Sequence, residues 1–192
     1  MRLAIVVGHD IKAKGSTSVS PLNVQEYDYN VDLAEYMYRV AMAKGITTRV
    51  FTRNKGGLRG AYEDVRKWSD ENTVCLELHF NSFNGKVQGS ETLFDKDPLD
   101  SIELAREVHK AVCEVFQRKN KQDRGIKLID NGERGYLNLN LCKIPSCIVE
   151  PFFGDNPADA ELGHKLKHQY ADYLVDAVFT YFVERDRKMA LN

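Results

Sequence analysis

Three short apolar runs in this chain each end in a residue able to hold a metal ion or carry a proton. Leu3-Ala-Ile-Val-Val7 leads into Gly8-His9, residues 74–78 lead into His79, and Cys147-Ile-Val149 leads into Glu150. Continuous apolar runs of this length read as strands buried on both faces, the kind that parallel sheets use. In open α/β sheets, ligands sit in the crevice beyond the carboxyl ends of the strands. Three strand ends offering His, His and Glu therefore constrain both the fold and the place where its chemistry belongs.

Between these runs the pattern turns helical. Asn23 reads as an N-cap with Glu26 in the capping-box position three residues later. The helix it opens extends to about residue 44, with Tyr27, Val31, Ala34, Tyr38 and Ala41 on one face and Gly45 as its stop. Residues 46–51 alternate as a second strand. A second helix, 58–70, turns Leu58, Ala61, Val65 and Trp68 inward, and 89–94 form a short strand after the His79 run. Asp97-Pro98 starts a helix over 99–118 with Ile102, Ala105, Val108, Val112 and Val115 as its core stripe; His109, beside that stripe, reads as structural. Residues 119–135 form a polar connector, 136–141 alternate like a half-exposed strand or rim segment, and 145–153 carry the Glu150 strand. Asn156-Pro157 opens the last helix, expected to run to about 183. The alternation predicts an α/β fold: a single domain, mostly parallel twisted sheet with helices on both faces. That domain is expected to occupy residues 1–185, leaving a charged tail, 186–192, that frays. A chain of 192 residues suits one packed core.

Composition excludes some partners. A net charge of -1 gives no bulk attraction to nucleic acid or to an anionic membrane. Cys75, Cys113, Cys142 and Cys147 are irregularly spaced without a CxxC pair, and read as reduced thiols, not as a disulfide framework. The opening segment has five consecutive apolar residues, short of the about 7–15 of a signal peptide, and no run approaches the ~18–20 of a membrane span. The expectation is synthesis in the cytoplasm without a signal peptide and no membrane insertion.

His164 and His168 have the four-residue spacing of helical metal ligands, but they lie opposite Leu162, Leu166 and Tyr170 and read as a solvated face. His9, Glu26, His79 and Glu150 make the stronger set. A catalytic zinc site takes three His/Glu-type ligands and leaves a position for water. His9, Glu26 and His79 are the expected ligands, and Glu150 is placed to move a proton. Singly, each has a plain alternative: rim histidines, a capping acid and an ion-pair partner.

Together with their neighbours, these residues resemble a known family, the zinc-dependent N-acetylmuramoyl-L-alanine amidases with an amidase-3 catalytic domain. The resemblance rests on Gly8-His9, Glu26, Thr52-Arg53, His79-Phe-Asn81, Gly89-Ser-Glu-Thr92, Asp123-Arg-Gly-Ile-Lys127, Pro145-Ser-Cys-Ile-Val-Glu150 and Asn156-Pro-Ala-Asp159, in family order. It implies Zn2+ held by His9, Glu26 and His79, with Glu150 as catalytic acid/base. It also implies cleavage of the amide between N-acetylmuramic acid and L-Ala of the peptidoglycan stem. The expected partner is peptidoglycan or a muropeptide, acted on by a monomer at the cell wall after release. Two alternatives stand beside it: a zinc amidohydrolase acting on another peptide amide, and a non-catalytic wall-binding module.

Departures from the family pattern fall at Val6, Val7 and Asp10 around Gly8-His9, at Pro151-Phe-Phe153, and at Leu137-Asn-Leu-Asn-Leu141. The interval from His79 to Glu150 resembles the minimal family length, without room for a long inhibitory helix. It suggests a phage-type endolysin or an autolysin.

Overall fold

The computed structural model describes residues 1–97 and 100–191. Six strands form one sheet: β1 (Arg2–Val7), β2 (Thr47–Phe51), β3 (Thr73–Leu78), β4 (Ser90–Phe94), β5 (Asp123–Leu128) and β6 (Ser146–Glu150), in the order β2-β1-β3-β6-β4-β5. Every pairing is parallel except β4 against β6. Side chains alternate across this sheet, so each central strand feeds two cores. Leu3, Ile5 and Val7, with Val74, Leu76 and Leu78, pack into the larger core under α1 (Glu26–Ala43), α3 (Ser101–Val115) and α5 (Pro157–Leu191). Ala4, Val6 and Cys75 face the smaller core under α2 (Gly57–Trp68) and α4 (Tyr136–Cys142). The expected α/β architecture with helices on both faces is the observed one.

Register sets where the chemistry can sit. Val7 pairs with Leu78, and Leu78 with Val149, so three adjacent parallel strands reach their carboxyl ends in one row. Gly8, His79 and Glu150 lie one residue beyond that row. A one-residue slip in either pairing would turn these side chains to the opposite face.

Several local expectations are corrected. Residues 136–141 are helical, not a strand: Leu139 and Cys142, one turn apart, are buried while Leu137 is 50% exposed. Gly135 and Lys143, both left-handed, bracket that short helix. The polar connector contains β5, whose side chains are half-buried or exposed, which is why it lacks an apolar signature. α1 begins at Glu26 with Gln25 as its N-cap and no capping side chain, so the Asn23–Glu26 capping box does not form. Its buried face is set by Tyr29, Leu33, Met37 and Ala41, whereas Val31 and Tyr38 are exposed. The helix expected from Asp97-Pro98 begins at Ser101; Pro98 and Leu99 lie outside the described residues. α5 continues past residue 183 to Leu191, through the segment expected to fray. All four cysteines are free, and His164 and His168 are exposed.

The head of α5 locks the Glu150 strand end. Asn156 Oδ1 accepts from the backbone N–H of Ala158 and Asp159, an N-cap followed by Pro157 at the first helical position. Asp159 is fully buried. Its Oδ2 accepts from the N–H of Gly89 and of Phe153, and its Oδ1 receives the Arg118 guanidinium at 2.9 Å. Arg118 also donates to Ser90 Oγ and to the Pro151 carbonyl, so one ion pair joins β4, the residues after β6 and α5. Removing one member of such a buried pair leaves the other uncompensated. Asp159→Ala is expected to lower the unfolding free energy by about 3–5 kcal/mol, measured by urea denaturation.

Candidate active site

His9 and His79 face each other because the backbone between them leaves no spare volume. The Gly8 N–H donates to the Leu78 carbonyl at 3.0 Å, and a Cβ on Gly8 would fall 2.5 Å from His79 Cε1. His9 then adopts φ 66°, a left-handed conformation uncommon for a side-chain-bearing residue and found at functional sites. The two rings stand edge to face with centroids 5.0 Å apart.

Glu26 reaches them through the loop before α1. That loop folds back on itself, with the Glu26 N–H donating to the Ser16 carbonyl and Thr17 bridging Gln25. The carboxylate is 2% exposed. Its Oε1 accepts from the Phe80 N–H at 3.1 Å and lies 2.8 Å from His79 Nδ1. Its Oε2 accepts from the Ser16 N–H at 3.2 Å and lies 3.1 Å from His9 Nε2. Gly15 is the second tight spot: its φ is +77°, and a Cβ there would lie 2.6 Å from Glu26 Oε2 and from the His9 ring. Burial pushes the Glu26 carboxyl up, but hydrogen bonds and charge from His79 and His9 overcome it and hold the group at about 2.

The donor set suits a divalent ion. His9, Glu26 and His79 each offer one ligand atom, all within 4.8 Å of one another. His9 Nε2 is buried, with Glu26 Oε2 3.1 Å away. His79 has a carboxylate at each ring nitrogen, Glu26 at Nδ1 and Glu77 at Nε2, the latter at 3.2 Å. A neutral imidazole carries one N–H and satisfies only one of these; the other contact is met by a second proton on the ring or by a metal ion beside it. A carboxylate on the far nitrogen of a ligand histidine is the usual arrangement around metal ions.

Glu150 stands in the same cleft, of about 360 Å³, with His9, His79, Arg53, Arg134 and Asn138 among its walls. Its Oε2 is covered and has no hydrogen-bond partner. Burial pushes its carboxyl up to about 8; the nearby Glu26 and Glu91 push the same way, against His79 and Arg134. Glu91 faces Glu150 directly across the antiparallel β4–β6 pairing.

All four residues singled out in the sequence thus meet in one place. Four others escaped that reading. Glu77 had a visible signal, an acid inside an apolar strand; it is 1% exposed and accepts from Tyr62 Oη and Asn138 Nδ2 beside Arg53. Glu91 stands inside the Gly89-Ser-Glu-Thr92 stretch with no role assigned to it; Arg134 and Asn138 had no signal, since they come from a polar loop and from a helix whose pattern reads as a strand.

An α/β domain that presents two imidazoles and a carboxylate beyond parallel strands, with a second carboxyl alongside, has the make-up of a metal-dependent hydrolase. The family model described as N-acetylmuramoyl-L-alanine amidase (Amidase_3) matches residues 3–179, and the chain belongs to that family. An uncharacterized cell wall amidase of Bacillus anthracis is 32% identical over 96 residues, 46% of this chain but 17% of that protein, so the chain spans a small part of that relative. The catalytic domain of the CD27L endolysin targeting Clostridia difficile superposes with a TM-score of 0.75 at 28% identity, covering 94% of this chain and 97% of that one. The N-acetylmuramyl-L-alanine amidase Ami1 of Mycobacterium smegmatis gives a TM-score of 0.77 at 15% identity over 96% of this chain and 97% of that one, a likeness of fold. Among the described residues, no helix is long and apolar enough to cross a membrane.

The raised Glu150 carboxyl has a consequence for stability. Its folded value of about 8 lies above the ordinary ~4.3 of an unfolded glutamate. The folded state therefore binds the proton more tightly, and stability falls as pH rises between those values. In metal-free protein, Glu150→Gln is expected to raise the melting temperature by several degrees at about pH 9 relative to its effect at about pH 4. Thermal melts of both proteins at the two pH values check this.

Proposed function

We propose that the chain hydrolyses the amide between the lactyl group of N-acetylmuramic acid and L-Ala of the peptidoglycan stem peptide, with Zn2+ as its cofactor. The observation that carries this reading is the convergence of His9, Glu26 and His79 on one point beside the isolated Glu150 carboxyl. His9, Glu26 and His79 would hold the ion, with Glu77 orienting the His79 ring through Nε2. When bound, the ion supplies Lewis acidity toward a carbonyl oxygen and toward water. Membership of the amidase family and the likeness to an endolysin catalytic domain support peptidoglycan as the substrate. They also support residues 1–185 as a catalytic domain that acts on the cell wall.

In its ionised form, which a bound dication in the same cleft would favour, Glu150 takes the proton of the attacking water and returns it to the departing amine of L-Ala. Its uncommitted Oε2 leaves an oxygen free for that exchange. Arg53 and Arg134 line the same cleft and would face the anionic or carbonyl groups of the muropeptide. Burial lowers the Arg53 pKa, while nearby acids including Glu26 and Asp10 raise it.

Digestion of purified peptidoglycan tests the reading. New L-Ala amino termini, with about one cleft-bound zinc per chain, are expected; release of a different terminus moves the cut to another amide, and binding without release removes the enzymatic reading. Glu150→Gln is expected to keep zinc and to lose hydrolysis by a factor on the order of 10²–10⁴. His79→Ala is expected to lose the cleft-bound zinc together with that ion's share of the metal-dependent rise in melting temperature. Metal analysis and melts with and without a chelator read both.

A further inference from the structure

His109, Cys113 and Asp123 are placed by elements that take no part in the cleft. His109 and Cys113 lie one turn apart on α3, on the same face, and Asp123 opens β5. His109 Nε2 is 2.9 Å from Asp123 Oδ1 and 3.3 Å from Cys113 Sγ. All three ligand atoms lie within 4.8 Å of one another. None of these residues lines the cleft.

We propose that these three side chains form a second metal site, of the zinc type, that clips the outer strand β5 to α3. One imidazole, one thiolate and one carboxylate make a borderline-soft donor set suited to Zn2+. Tetrahedral zinc with bonds of about 2.0–2.3 Å spaces its ligands about 3.3–3.6 Å apart. The two separations from His109 Nε2 need to open by only a few tenths of an ångström. The outer contacts are already made: Thr92 Oγ1 lies 3.1 Å from His109 Nδ1, and the Gly125 N–H donates to Asp123 Oδ1 at 3.0 Å. A hydroxyl is both donor and acceptor, so Thr92 suits either tautomer. On binding, His109 takes the tautomer protonated at Nδ1, whose N–H donates a hydrogen bond to Thr92 Oγ1, and the thiol proton leaves to solvent. The Asp123 side chain is 47% exposed, which leaves room for water as a fourth ligand. The cation nearest in chemistry, Arg118, is neutralised by Asp159.

The clip has something to hold. Among the described residues, β5 is the last strand of the sheet and pairs only with β4. The chain beyond it runs directly to Arg134 and Gly135 in the cleft wall. A metal at this site would fix the start of that segment without touching the reacting groups.

Cobalt separates this site from the cleft, because His9, Glu26 and His79 contain no sulfur. Metal-free full-length chain titrated with Co2+ is expected to develop a sulfur-to-cobalt charge-transfer band. That band should persist in Glu26→Gln and vanish in Cys113→Ser, which retains hydrolysis. Thr92→Val is expected to weaken Co2+ at this site by about tenfold. Absence of the band in the wild type, or its survival in Cys113→Ser, overturns the proposal. Should Cys113→Ser fail to fold, alkylation of the wild type decides. Zn2+ alone is expected to slow modification of Cys113 at least tenfold, and an unchanged rate rejects the site. The band and the alkylation rate do not depend on the cleft reading, so either can fail without the other.

Discussion

The buried carboxylate of Glu26 is the constraint around which the rest is arranged. An ionised acid at 2% exposure is costly unless its surroundings return what water gave. Here the return comes from four directions: two backbone N–H groups, from Ser16 and Phe80, and two imidazoles, from His9 and His79. The helix it heads adds the positive end of its dipole. None of these partners is close in sequence to all the others, so Glu26 ties the loop before α1 to the ends of two different strands.

The central strands were legible because they are buried on both sides. β1, β3 and β6 have no outward face to encode, so their runs are apolar (broken only by Glu77 in β3) and their ends stand out. That made His9, His79 and Glu150 visible, and chain order with the family likeness added Glu26. What was lost lies at the margins of the sheet. β5 is an outer strand with partial burial, and its polar sequence reads as loop. Tyr136-Leu-Asn-Leu-Asn-Leu141 has a period of two that a strand would also show, yet a helix of about two turns needs only Leu139 and Cys142 to face inward. The face of α1 was misjudged for a related reason: Val31 and Tyr38 are apolar but look outward, and Tyr29 and Met37 occupy the interior. In the cleft, Arg134 and Asn138 come from these same misread stretches.

The departures from the family pattern around Pro151-Phe-Phe153 have a packing explanation. Phe152 is wholly buried and stacks on Phe80 with centroids 5.3 Å apart, with Tyr29 and Phe116 around it. Gly163 on α5 makes the room: a Cβ there would lie 2.5 Å from the Phe152 ring. The large ring after Glu150 is thus matched by a missing side chain on the opposite helix. It also underpins Phe80, whose backbone N–H holds Glu26.

Gly8 and Gly15 bring no side-chain charge or lone pair to the cleft, yet the outline of the two imidazole rings is cast in the space their missing side chains leave. Shape here is enforced by omission. A methyl group at either position would intrude where a ring or a carboxylate oxygen must rest, so intolerance to substitution extends to positions with no reactive chemistry of their own. Anyone reshaping this cleft has to treat those two stretches of bare backbone as part of the mould that sets the two imidazoles and the carboxylate.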